Sequence, residues 1–297
     1  MQTTDKEQIA HELRVKMSGE NLSQADVQRL SGLSKTNISF IASDKWHDKV
    51  ISDDQWLKLA QWMGLANDWN TVETPGFVRI HKMCMDAQQN HIMLGISAKQ
   101  GSGKSHALKA FAYKNPRNTF YIQCHEHWSK KDFLAELKKV MGLDLFPQSI
   151  TQQVNDIVDH LLKLENPLLI VDEADELKDG VLRFIKTFYN ETHDKVHQGQ
   201  CGFIICGGNH LKKRIEKGVR LCKQSYQEIY SRLGNSFKPL REIDAATIAE
   251  ICTANGVTDQ QDIKEIVNST LADQDLRAVQ RKIHAAKLRN SKLKKLA

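Results

Sequence analysis

Lys104 and Ser105 stand at the end of a loop, Ala98-Lys99-Gln100-Gly101-Ser102-Gly103, that follows the apolar run 92–97. Lysine and a hydroxyl after small residues is the pattern of a phosphate-binding loop. Backbone N–H groups curl round phosphate oxygens, and the following helix adds the partial positive charge of its N-terminus. Lys104 would reach the β- and γ-phosphates of a nucleotide, and the Ser105 hydroxyl would hold Mg²⁺. Residues 98–105, with His106 beside them, are the candidate nucleotide-binding set. Ala98 stands where the pattern has its first glycine. Alanine fits there with negative φ and is strained with positive φ. A second group of chemical residues closes the run Pro167-Leu168-Leu169-Ile170-Val171-Asp172-Glu173. Asp172 would bind the metal, usually through water, and Glu173 would orient and activate an attacking water; phosphoryl transfer needs such positioning and charge stabilisation. Asn209, just past the apolar Gly202-Phe203-Ile204-Ile205-Cys206, is placed to touch a γ-phosphate or that water. Asp175 and Glu176 are expected to open the next helix, where acids suit the dipole.

These groups need elements to carry them. A helix over 78–89 leads to a strand at 91–97 and the loop; short β-rich stretches follow at 119–124, 167–173 and 202–206, with amphipathic helices at 130–141 and 151–164 between them. Strands alternating with helices predict a parallel sheet covered on both faces. Residues 236–243 are the last strand or its exit. From 245 the pattern is helical, near 245–254, 259–268 and 273–290, with Asn255-Gly256 ending the first.

At 297 residues the chain has room for about two domains. Hydrophobic content of 40% and charged content of 26% are those of a folded soluble chain. No apolar run approaches the ~20 residues of a membrane helix, and the polar start MQTTDKEQIA has no signal pattern, so a cytoplasmic location and no membrane partner are expected. Six scattered cysteines without a C-x-x-C pair suit reduced thiols, and Cys124, His125 and His127 lack the further ligands of a zinc site. Net charge is +6, and its distribution matters more than its size. From Arg277 onward there are Arg281, Lys282, Lys287, Arg289, Lys292, Lys294 and Lys295 and no acid, which favours a polyanion and salt-dependent binding.

Residues 1–65 read as a separate helical unit. Ser23 would cap a helix to about Leu30, Ser31-Gly32-Leu33-Ser34 would turn, and Ser34 would cap a second helix from Lys35 to Ala42. Val27, Leu30, Leu33, Ile38 and Ile41 would share a core, leaving Lys35, Thr36, Asn37, Ser39 and Phe40 exposed. That is a helix-turn-helix, whose second helix can enter a major groove. The stretch resembles the phage-repressor class, and Lys35, Thr36, Asn37 and Ser39 are its candidate DNA contacts; a protein-binding role for the same fold stays open, because acids here roughly balance bases. Helical segments around Trp56 and Trp62 would close the core. Residues 66–76, with Asn67, Asp68 and the breaker Thr74-Pro75-Gly76, read as a linker.

Loop, Asp-Glu strand and Gly-Asn-His strand tip, in this order, resemble an AAA+ ATPase. Together with the N-terminal helices and the succession DEAD…GNH…SR, the chain is similar to the phage Mu B family of transposition ATPases. The resemblance runs from about Leu22 to Ala286. It implies a three-layer α/β core over 77–243 and a small helical lid with a basic tail over 244–297. It implies ATP and Mg²⁺ as cofactors. It also implies self-association into a ring or helical filament on double-stranded DNA and recruitment of a DDE-family transposase. Within it, Arg232 of YQEIYSRL would be the arginine finger reaching a neighbouring subunit's γ-phosphate, with Arg214, Arg220 and Arg241 as rivals, and Arg277 the lid arginine that contacts nucleotide. Lys130, Lys131 and Lys186 would face DNA. Ala98 and the long polar loop at 190–200 depart from the family pattern. Replication initiators and helicase loaders share the same core and are the competing expectation.

Overall fold

The computed structural model describes residues 3–19, 22–47, 49, 51–63, 65, 69–115, 117–193 and 200–296. The chain divides into two compact units, Met1–Thr71 and Val72–Ala297.

The first unit packs α1 (Thr3–Gly19), α2 (Gln24–Ser31), α3 (Lys35–Ala42) and α4 (Asp53–Trp62) around Leu13, Val27, Ile38, Ile41, Trp56 and Leu59. Ser23 and Asp26 form a reciprocal capping box at the start of α2, and the Ser34 hydroxyl accepts the Asn37 N–H at the start of α3. Between them Gly32 takes φ +71° and donates its N–H to Gln28 O, the left-handed C-cap that lets the chain reverse within three residues. Both tryptophans expected on separate segments lie on α4 alone: Asp53 to Trp62 is one unbroken amphipathic run. Leu30 lies in α2, but its side chain, like Asn67 and Asp68, falls outside the described residues.

The second unit opens with α5 (Pro75–Asn90), so the expected breaker at 74–76 is a helix start instead. Thr74 accepts the Phe77 N–H at 3.2 Å and Pro75 occupies the first turn, where its missing N–H costs nothing. Five parallel strands follow: β1 (Met93–Ser97), β2 (Thr119–Gln123), β3 (Leu168–Asp172), β4 (Gly202–Gly207) and β5 (Phe237–Lys238), in the order β2-β3-β4-β1-β5. The last is only two residues long. Helices α6 (Lys104–Lys114), α7 (Lys130–Val140), α8 (Ile150–Leu162), α9 (Asp179–His193), α10 (Asn209–Arg220) and α11 (Tyr226–Arg232) belong to this core. One sheet face packs on α5 and α6 through Ile80, Ile96, Leu108, Ile170 and Ile204; the other buries Phe133, Leu137, Ile157, Phe188 and Phe203. Every residue of β3 is buried, as a central parallel strand requires. Gly202 is needed for α5 to reach the sheet, because a Cβ there would stand 2.2 Å from Ala87 O. Helices α12 (Ala245–Ala254), α13 (Gln260–Thr270) and α14 (Leu276–Leu296) form a small bundle; Arg289 and Asn290 of α14 hold the Asp262 carboxylate of α13. Among the described residues no helix is long and apolar enough to cross a membrane.

Candidate functional site

Parallel strands deliver their C-terminal ends to one edge, and strand order decides which ends are neighbours. Here β4 lies between β1 and β3, with Ser97 in register with Gly207 and Val171 with Ile205. The phosphate loop leaves β1, the Asp-Glu pair ends β3, and Asn209 follows the strand between them. Ser97 Oγ, 3.2 Å from Gly208 O and 3.3 Å from Asn209 Oδ1, ties β1 to that middle tip.

In the loop, Gly101 and Gly103 take φ +76° and +82°, whereas Ala98 is outside the left-handed region. The alanine is therefore unstrained, and the two positions that need glycine have it. Lys99 and Gln100 are exposed at the tip, and Ser102 Oγ donates to Lys99 O at 2.8 Å. Lys104 Nζ is held over the loop by Ala98 O at 3.0 Å and Lys99 O at 2.8 Å. Ser105 is half-buried on the first turn of α6; His106 lies beside it, 6.2 Å from the Phe77 ring, and partial desolvation of the ring followed by the Lys109 charge lowers its pKa.

Asp172 is fully buried. Its carboxylate accepts the Tyr121 hydroxyl at 2.8 Å and the Glu173 N–H at 2.9 Å. Burial, then the Asp172 charge, drives the Tyr121 hydroxyl's pKa upward, so it stays a donor. Burial first and Asp172 second do the same to the Cys206 thiol, which keeps it protonated and inert. Glu173 sits at φ +51°, a left-handed conformation rare for a residue with a long side chain, and its carboxylate accepts Gln123 Nε2 at 3.2 Å. Lys109 Nζ in turn donates to Gln123 Oε1 at 3.0 Å. That strained backbone is held by a hydrogen bond from the adjacent strand. Asp175 does not serve its own helix. It lies in the 3₁₀ turn Ala174–Glu176, and its Oδ1 accepts the Gly208 N–H at 3.2 Å, capping α10 instead.

The C-terminal helices meet the loop directly. Leu276 N–H donates to Gly101 O at 2.9 Å, a Cβ on Gly101 would stand 1.9 Å from Asp275 Oδ1, and Arg277 follows, exposed, with its N–H on Asp275 Oδ1 at 2.9 Å. Arg277 thus stands beside the phosphate loop. Arg232 is half-buried, its guanidinium donating twice to Asn190 Oδ1 (3.1 and 2.8 Å) and lying 5.3 Å from the centre of the Tyr189 ring. Arg214 is engaged inside the fold by Asp179, Tyr226 and the carbonyls of Asp175 and Leu177. Arg220 and Arg241 are exposed. Of the proposed DNA-facing lysines, Lys130 and Lys131 are exposed at the start of α7, but Lys186 is half-buried in an ion pair with Glu228 at 2.6 Å, which neutralises it. In α3, Lys35 and Thr36 are exposed, whereas Asn37, Ser39 and Phe40 are half-buried. Tyr121, Gln123, Ser97 and Asp275 escaped the sequence reading, and Asp175 was read there only as a helix opener. Only the polar residues alternating within TFYIQ hinted at the first two.

Residues 88–215 match the family model described as the AAA domain, from the end of α5 into α10. This segment is similar to that domain over 128 of the 297 residues. Twenty chains of solved structures match this one, among them a chain from the structure of Drosophila ORC bound to DNA, at 13% identity and TM-score 0.49, covering 90% of this chain and 68% of that one. No curated protein matches. The core carries a donor set suited to a magnesium nucleotide: a lysine amine and hydroxyl on a loop with two left-handed glycines, at the same sheet edge as a buried carboxylate that already has a phenol donor. Ser105 and Asp172 are the residues that would hold the metal, and Lys104 the phosphates. A nucleotide held there would supply a transferable phosphoryl group. Glu173 ends the strand beside Asp172, and Asn209 follows the strand between the loop and that pair.

Proposed function

We propose that this chain is an ATP-dependent, sequence-independent DNA-binding ATPase that assembles on double-stranded target DNA and recruits a DDE-family transposase. The observation that carries the ATPase part is the convergence of Lys104, Ser105, Asp172, Glu173 and Asn209 on one sheet edge, with β4 between the two motif strands. Arg277 beside the loop supports a lid that senses nucleotide, and Arg232 is the proposed finger in trans, which makes hydrolysis depend on assembly. Exposed Lys35 and Thr36 on α3, the pair Lys130 and Lys131, and the basic α14 support DNA as partner.

The test is electron microscopy of the full chain with random-sequence duplex, with and without a non-hydrolysable ATP analogue. Cooperative coating of DNA only with nucleotide is expected. Protection of one short defined site would instead make it a replication initiator or loader, and single particles under every condition would overturn the proposal altogether. Stimulation of strand transfer by a DDE transposase, in the presence of ATP and target duplex, tests the partner.

A further inference from the structure

Helix α10 begins at the nucleotide edge and carries a row of cations away from it. His210, Lys213, Lys217 and Arg220 recur at intervals of three, four and three residues, which places them on one helical face, and all four are exposed. At 1.5 Å per residue the row is about 15 Å long. Lys213 and Lys217, with Lys223, line a cleft of about 450 Å³ between α10, the turn after β3 and α11. The acids in that cleft are already satisfied: Asp179 by Arg214 and the Tyr226 hydroxyl (2.7 Å), Asp175 by the Gly208 N–H. Lys213, Lys217 and Lys223 have no ion-pair partner among the described residues. Glu216 pairs instead with Lys212, off the row, at 3.9 Å. Lys130 at the start of α7 lies beside Gly180, the neighbour in sequence of the cleft residue Asp179: a Cβ on Gly180 would lie 3.2 Å from Lys130 Cε.

We infer that the α10 row grips the sugar–phosphate backbone of duplex DNA, with Lys213, Lys217 and Lys223 each on a phosphate, extending the track that starts at Lys130 and Lys131. This rests on the DNA-binding reading above. A line of separated ammonium groups matches a polymer carrying one charge per about 1.7 Å of axis better than it matches a compact anion. Lysines on phosphates also fix position without reading bases, as sequence-independent binding requires.

The experiment measures affinity of the full chain for a fluorescent random-sequence duplex, with a non-hydrolysable ATP analogue, across a range of NaCl. Each lost phosphate contact removes about 0.9 from the slope of log K against log salt. The triple variant K213A/K217A/K223A should therefore have a slope shallower by about 3 and bind about 10²-fold more weakly at physiological salt. Lys212→Ala, off the row on the same helix, should keep the wild-type slope. If the triple variant does not fold, Lys217→Ala alone should shift the slope by about 1. A wild-type slope in the lysine variants overturns the inference. So does a variant that keeps DNA affinity but loses nucleotide-dependent self-association, which would assign the row to a second copy. Failure of the wild-type chain to bind any duplex removes the DNA reading itself, a separate result.

Discussion

Substituting Gly101 by alanine tests whether the lid is seated on the phosphate loop. Gly101 lies at φ +76°, where an L side chain costs about 1–2 kcal/mol. Its added Cβ would also stand 1.9 Å from Asp275 Oδ1 and 2.6 Å from Asp275 Cγ, so the carboxylate must swing away. That movement breaks its bond with the Arg277 N–H at 2.9 Å and loosens Leu276 N–H on Gly101 O, together about 1–2 kcal/mol. The sum is about 3 kcal/mol, or roughly 6–12 °C in the midpoint of a unit of this size. Only the steric share depends on Asp275. In a cycle of G101A, D275A and the double variant, followed by thermal unfolding of the full chain, the coupling should therefore be about 1 kcal/mol. Strict additivity would falsify the contact between lid and loop, and the nucleotide-sensing role of Arg277 would lose its geometric support.

Glu173→Gln should lower ATP hydrolysis by about 10²–10⁴-fold while nucleotide-dependent DNA binding persists; wild-type turnover would remove Glu173 as the base. Tyr121→Phe leaves the fully buried Asp172 without its phenol donor, and should cost about 2 kcal/mol, seen as a lower unfolding midpoint in magnesium-free buffer. An unchanged midpoint there means that Tyr121 lends Asp172 no support. Lys138 has a side chain 2% exposed and donates to Asp156 at 2.8 Å and Gln148 at 2.5 Å. The Lys138 bond first, and Gln148 second, hold the Asp156 carboxyl below its usual range. A depressed folded pKa means that the pair's contribution is complete above the ordinary carboxylate pKa of about 4 and is lost as pH falls through the folded value. Asp156→Asn should destabilise by about 1 kcal/mol at neutral pH, because the Asp156 side chain is 41% exposed and screened by water while Gln148 still holds Lys138, and should flatten the acid limb in urea titrations. Equal acid limbs in both proteins would refute the linkage.

The helices and strands that carry chemistry were legible because local signals agreed with burial. Ser23 and Ser34 both cap where the sequence placed them, and the run 168–172 is a buried strand ending in Asp172. Thr74-Pro75-Gly76 was misread because Pro and Gly mark turns in general, and only the Thr74 hydroxyl on the Phe77 N–H identifies a helix start. At the site, residues on the motif's own spacing were readable. Those that orient them were not, since Tyr121, Gln123 and Asp275 reach their partners across 51, 50 and many more positions of chain and only the fold brings them close. Lys186 shows the converse: a lysine exposed by its type is neutralised by Glu228, which no local pattern announces.

Asp175 couples two loops that a strand order alone would leave independent. Because its carboxylate fastens the turn after Asp172-Glu173 to Gly208, any displacement at that strand tip is applied at the root of α10. The helix is twelve residues, about 18 Å, so a tilt of 10° at its root sweeps the far end by about 3 Å. Breaking a phosphate bond at one end of a stiff rod would then register as a step at the other.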